Sequence, residues 1–155
     1  MPSTSPVITA LNHLLSHELA ARDQYFIHSR MLAEWGFAKT AARIAHEMED
    51  ETAHADVLIK RILMLGGLPA MQASALNIGF DVPSMLASDL AVEQTVGQLL
   101  RETIALCEQT RDYVSRDLLL PLLVETEVDH AHWLEQQQRL ITQLGLANYL
   151  QSQTA

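Results

Sequence analysis

Sulfur chemistry is almost absent from this chain. Its one cysteine, Cys107, excludes an intramolecular disulfide. It falls in the apolar seam of a predicted helix, so a packed, inert thiol is expected, in keeping with a reducing compartment. Aromatic residues make up only 5% of the sequence although 48% is hydrophobic. The core must then be Leu, Ile, Val, Ala and Met, which favours helices over sheets. Basic residues are outnumbered, 10 against 19 acidic ones, for a net charge of -9. That balance argues against nucleic acid or an anionic membrane as the main partner. No apolar run approaches the ~18 residues of a membrane helix. The start, Met1-Pro2-Ser3-Thr4-Ser5-Pro6, lacks the basic and apolar regions of a signal peptide. The expectation is one soluble, cytoplasmic domain over residues 1–155.

Apolar residues recur at helical spacing in four long segments. The first runs over about 5–35, opened by Ser5 as N-cap and Pro6 in the first turn and closed by Gly36. The second covers about 39–65 and stops at Gly66-Gly67-Leu68-Pro69. A crossover over 66–81 carries loop chemistry at Asn77, Gly79 and Asp81. The third helix spans about 82–112, the fourth about 114–144, and a short fifth about 146–151 after Gly145. Pro121 lies inside the fourth and predicts a kink there, or a helix start nearer Asp117. Short links make antiparallel hairpins of the first and second pairs. The predicted fold is all-α, a four-helix bundle with one long crossover.

Charged residues interrupt each apolar seam. The stripes read Leu11, Leu15, Glu18, Arg22, Tyr25; Ile44, Met48, Glu51, His54, Leu58; Leu86, Leu90, Glu93, Gly97, Leu100; and Leu120, Leu123, Glu127, His130, Leu134. Two of these contain Glu-x-x-His, whose members share a helix face. Four carboxylates and two imidazoles are thus aimed at the middle of the bundle. Buried acids in such number cannot all ionise without compensation. Two divalent metals bridged by Glu would supply four positive charges about 3.5–4 Å apart. Oxygen and imidazole donors without a thiolate suit iron or manganese rather than structural zinc. A Glu from each of two helices with Glu-x-x-His from the other two is the pattern of di-iron and di-manganese carboxylate proteins.

The chain also resembles the bacterioferritin and bacterial ferritin family over essentially its whole length. The resemblance is carried by Asp23-Gln24-Tyr25-Phe26-Ile27-His28-Ser29-Arg30-Met31, His54-Ala55-Asp56, Gly67-Leu68-Pro69, Asp112-Tyr113-Val114-Ser115-Arg116-Asp117 and Asn148-Tyr149-Leu150-Gln151. It implies a ferritin-like bundle and a hollow shell of twenty-four subunits. Such a shell oxidises Fe(II) with O2 or H2O2 and stores ferric mineral. Carried over by position, Glu18 and His54 would end one iron, Glu93 and His130 the other, and Glu51 and Glu127 would bridge, two irons per subunit. Bacterioferritins bind haem at a subunit two-fold through a Met directly after the second helix's bridging Glu. Here that position is Thr52, a poor axial ligand, and Met48 one turn earlier is either a substitute haem ligand or, the favoured reading, a flexible core or interface filler. The expectation is a haem-poor member, or a haemless subunit that co-assembles with a haem-binding sister.

Tyr25, two turns from Glu18, either donates an electron or hydrogen-bonds a ligand carboxylate, or is core packing with a satisfied hydroxyl. Trp133 is open to the same two readings. His46 and Asp50 are either an inner-surface iron site or a solvated face. His13, His17, His28 and His132 are expected at the surface. Two other functions fit the same residues: a di-metal oxidoreductase acting on peroxide or an organic substrate without storage, and a metal-free bundle that binds a partner.

Overall fold

The computed structural model describes residues 5–155. Residues 1–4, and the signal-peptide reading that rests partly on them, lie outside the described residues. Helix α1 spans Pro6–Glu34, α2 Ala38–Met64, α3 Val82–Gln109, α4 Tyr113–Val124, α5 His132–Leu144 and α6 Leu146–Ser152. A π-helical segment, Glu125–Ala131, joins α4 to α5 without leaving helical dihedrals, so the three form one rod. Among the described residues there is no strand, and the fold is all-α, a ferritin-like bundle of four rods.

Local chemistry sets the ends. Ser5 accepts from the Ile8 amide at 3.1 Å and Pro6 follows it. Asp81 and Ser84 cap α3 reciprocally. The third predicted helix ends early, at Gln109, because Arg111 takes φ +60° and Asp112 caps α4 by accepting from Ser115.

The crossover lies along α1. Leu68 and Ala70 are held by Asn12, Gln72 by Ser16, Asn77 by Gln24 and Gly79 by His28. These α1 positions fall on one stripe at four-residue steps. His28 is therefore not a surface residue but fully buried. Its Nε2 accepts from the Gly79 amide at 3.0 Å, which leaves Nδ1 to donate to Asp89 at 2.9 Å. Gly79 has no room for a side chain, since a Cβ there would stand 2.4 Å from the Met85 amide nitrogen.

The core is two clusters rather than one. Leu11, Leu15, Leu58, Ile62, Leu100, Cys107, Leu119 and Leu122 fill one half. Ala21, Tyr25, Leu32, Ile44, Met85, Leu86, Leu134 and Tyr149 fill the other. Cys107 is fully buried there, and burial, with Asp112 nearby, pushes its thiol up to about 11. Glu18, Glu51, Glu93 and His130, all buried, occupy the belt between the two apolar halves.

Candidate metal centre

Glu18 comes from α1, Glu51 and His54 from α2, Glu93 from α3 and His130 from the π segment. Each is at most 3% exposed. His54 Nδ1 lies 3.0 Å from Glu18 Oε2 and 3.5 Å from Glu51 Oε2. His130 Nδ1 lies 3.3 Å from Glu51 Oε1 and 3.3 Å from Glu93 Oε1. Glu51 thus turns one oxygen to each imidazole. The two rings are near-parallel, their centroids 6.1 Å apart.

The opposite edges of both rings face a second set of acids. Glu125 stands 3.3 Å from His54 Nε2 and 3.6 Å from His130 Nε2. Glu47 and Asp50 approach His130 Nε2 to 2.6 and 3.0 Å. A carboxylate on the far nitrogen fixes the orientation and tautomer of a metal-ligating histidine. Arg43 in turn holds Glu47 at 2.8 Å and Asp129 at 2.7 Å, with its guanidinium over the Trp133 ring.

Electrostatics marks the belt as short of positive charge. Burial, then the charge of Glu51, holds Glu18 well above the usual carboxylate range, and burial raises Glu93. Burial alone would lower His54, but Glu18 and Glu51 raise it to about 11. His130 is raised by Glu47, Glu51 and Glu93 in the same way. Burial, then Glu93, raises Tyr25, whose hydroxyl donates to Glu93 Oε1. Even so, Glu18 Oε1, Glu51 Oε2 and Glu93 Oε2 are buried with no hydrogen bond. Orphaned carboxylate oxygens on three neighbouring acids are costly unless a cation meets them. Among the described residues, Glu18, Glu51 and His54 form one group spaced to hold a metal ion, and Glu47, Glu93 and His130 form a second. Asp50, Asp129 and His130 form a third at the edge.

Glu127 departs from its predicted place. It is half-exposed and its Oε1 accepts from Arg101 Nε at 2.9 Å. The reason is the π segment. Reading back from Leu134 and His130, the buried positions are Thr126, Leu122, Leu119 and Ser115, not Glu127, Leu123 and Leu120. A π turn holds one residue more than an α turn, so every upstream position rotates by one. Leu120 is accordingly 41% exposed. Helix α4 begins at Tyr113 and runs through Pro121, so the start near Asp117 is not adopted. Arg22, read into the α1 seam, lies at the surface beside Asp23.

Of the weaker candidates, Asp50 joins the site, whereas His46 is 60% exposed and reaches it only through Asp50 at 3.6 Å. Met48 is half-buried and packs on the second core cluster, and Thr52, exposed, donates to the Met48 carbonyl. Glu125 and Glu47 were not singled out as ligands in the sequence. Glu47 is one turn before Glu51, which is a readable signal. Glu125 becomes visible only once the extra residue of the π turn is known.

The Ferritin-like domain family matches residues 8–144. The chain belongs to the ferritin family. It is similar to the Bacterial ferritin of Neisseria meningitidis, 57% identical over 153 residues covering 99% of each chain. It is similar to the Bacterial ferritin of Pseudomonas aeruginosa, 58% identical over 147 residues, 95% of this chain and 96% of the relative. The Bacterioferritin of Mycobacterium leprae is 38% identical over 146 residues, 94% of this chain and 91% of the relative. A ferritin is an iron-storage protein, and the acid-rich belt supplies the residue chemistry that iron binding requires. No helix among the described residues is long and apolar enough to cross a membrane.

Proposed function

We propose that this ferritin is a ferroxidase: it binds two Fe(II) as substrate between the four rods, oxidises them, and stores the ferric product in a shell of its own subunits. The observation that carries the reading is Glu51, set between two imidazoles with one oxygen toward each. Glu18 and His54 would complete one cation position, and Glu93 and His130 the other. Oxygen-rich donors stabilise Fe(III) over Fe(II), so the ligand set favours loss of electrons. Two Fe(II) give one electron each; O2 takes both with two protons to leave as H2O2, or H2O2 takes them to become water. Glu47, Asp50 and Glu125 hold the histidines, and Tyr25 holds Glu93.

A solvent-open cleft of about 590 Å³ is lined by Asp117, Leu120, Pro121, Val124, Glu125, Val128 and Asp129. Glu125 is the wall shared by cleft and centre, so iron passes from Asp129 and Glu125 to His130. His46 and Asp50 flank this route and would hold iron in transit. With Thr52 at the position of the haem ligand, the subunit itself is haemless and would join a haem-binding sister only as a partner; haem assayed after reconstitution should stay far below one per subunit pair.

Stopped-flow Fe(II) oxidation tests the central role. Glu51→Ala and His130→Ala should lower the initial rate by at least about tenfold with helicity unchanged, since loss of a ligand typically costs that much or more. Wild-type rates in both variants would remove the assignment.

A further inference from the structure

We propose that His13 and His17 form a second metal site on α1. It is an imidazole chelate for one divalent cation of the Cu(II), Ni(II) and Zn(II) class per subunit, separate from the acid-rich belt in place and in chemistry.

His13 and His17 are four residues apart on α1, so their side chains share a face. His-x-x-x-His is the spacing with which a helix presents two imidazoles to one ion. The rings stand side by side, centroids 4.8 Å apart and planes at 75°. With metal–nitrogen bonds of about 2.0–2.1 Å, two imidazoles on one ion have centroids about 4.5 Å apart at a right angle and about 5.2 Å apart at a tetrahedral one. The observed separation lies between the two. His13 is exposed and His17 half-buried. A rotation about χ2, a soft torsion in histidine, aims one nitrogen of each ring at a shared point.

These nitrogens are free to bind. Among the described residues neither ring has a hydrogen-bond or ion-pair partner, whereas His28, His46, His54 and His130 each face a carboxylate.

The surroundings set the class of ion. His13 borders a solvent-open hollow with Ser5, Pro6, Thr9 and Ala10. His17 borders a cleft of about 270 Å³ between α1, the crossover and α3, with Ala20, Ser74, Ser88 and Thr95 in its walls. Neither hollow is lined by an acid. Without a carboxylate, Mg(II) and Mn(II) find no hard donor, and Fe(II) stands below Ni(II) and Cu(II) in the affinity order. Open space beside both rings leaves water to fill the remaining coordination positions. The belt is the reverse case, rich in oxygen donors. Glu18 follows His17 directly, yet adjacent residues do not share a helix face, and Glu18 is fully buried. One helix thus serves two sites of different donor chemistry on different sides.

Cu(II), the tightest binder of the series, is titrated into iron-free wild type and into His13→Gln, His17→Gln and the double variant. Circular dichroism checks the fold, and Fe(II) oxidation, expected to be the same in all four, checks the belt. Any Cu(II) held by the belt is then common to the four proteins, and the difference between them counts the pair. Wild type should bind one more tight Cu(II) per subunit than either single variant. Chelation makes the second bond intramolecular, so loss of either imidazole should weaken that ion by at least about tenfold. Loss of both should add little to the loss from one. The electron paramagnetic resonance difference between wild type and His17→Gln should carry couplings from two nitrogens. Excess Ni(II) or Zn(II) should displace that ion, and the same excess of Mg(II) should not. Equal Cu(II) stoichiometry and affinity in wild type and His17→Gln overturns the proposal. Losses that simply add in the double variant overturn it too, because they mark two independent rings, and displacement by Mg(II) contradicts the class of ion.

Discussion

Protons are what a metal must displace at this centre. His54 is held charged to about 11, against 6.5 for a free histidine, by carboxylates that outweigh its burial. A folded-state pKa above the unfolded one stabilises fully below the unfolded value and loses that contribution as pH rises through the folded one. His54 therefore supports the metal-free fold most below about pH 6.5. Its contribution drains away toward pH 11. Glu18 and Glu93, shifted upward by burial, act with the same sign from lower pH. Metal-free protein should melt at a higher temperature at pH 6 than at pH 9. Cations reverse the order, because they require neutral imidazole and ionised carboxylate. Added Co(II) should raise the melting temperature more at pH 8 than at pH 6. Thermal scans at the two pH values, with and without Co(II), check both statements, and an equal Co(II) effect at both would contradict them.

At the scale of elements, two structures set the centre in place: the crossover on α1 and the π segment. His28 links the first to the bundle through Gly79 and buried Asp89. His28→Leu leaves Asp89 ionisable, buried and short of its main partner, which should cost about 3–5 kcal/mol. A fall in melting temperature with Fe(II) oxidation kept at low temperature is the expected result; an unchanged melting temperature would show that the ladder carries no stability. Gly97→Ala meets no atom closer than 3.8 Å. It should stabilise α3 by about 0.5–1 kcal/mol, measurable by chemical denaturation.

Much of this was legible beforehand. Glu18, Glu51, His54 and Glu93 follow from uninterrupted 3.6-residue periodicity, and His130 needs only its own local helix. What periodicity cannot carry is a change of pitch. One surplus residue moved Glu127 out, Thr126 in and Glu125 behind the histidines, while the sequence around Pro121 announced only that something irregular lay nearby. His28 was misplaced for a different reason: its partners are a loop amide and a residue far along the chain, and neither leaves a periodic trace.

For the whole molecule, the outer surface carries more apolar area than one subunit needs. Met64, Leu68, Phe80 and Val128 are each more than half exposed, and Phe26 and Tyr113 nearly so. Large exposed apolar side chains in such number mark contact surfaces. The proposed shell would cover them, and light scattering should give a mass near twenty-four times 17.3 kDa. A stable monomer would favour the reading without storage. The centre itself lies within one subunit, so its test does not depend on assembly. Anomalous diffraction from crystals loaded with Fe(II) under anaerobic conditions is the most direct measurement. Two iron peaks about 3.5–4 Å apart, both touching Glu51, one beside Glu18 and His54 and the other beside Glu93 and His130, are predicted. Iron found only outside the bundle, or a single ion that leaves Glu51 unbound, would contradict the account.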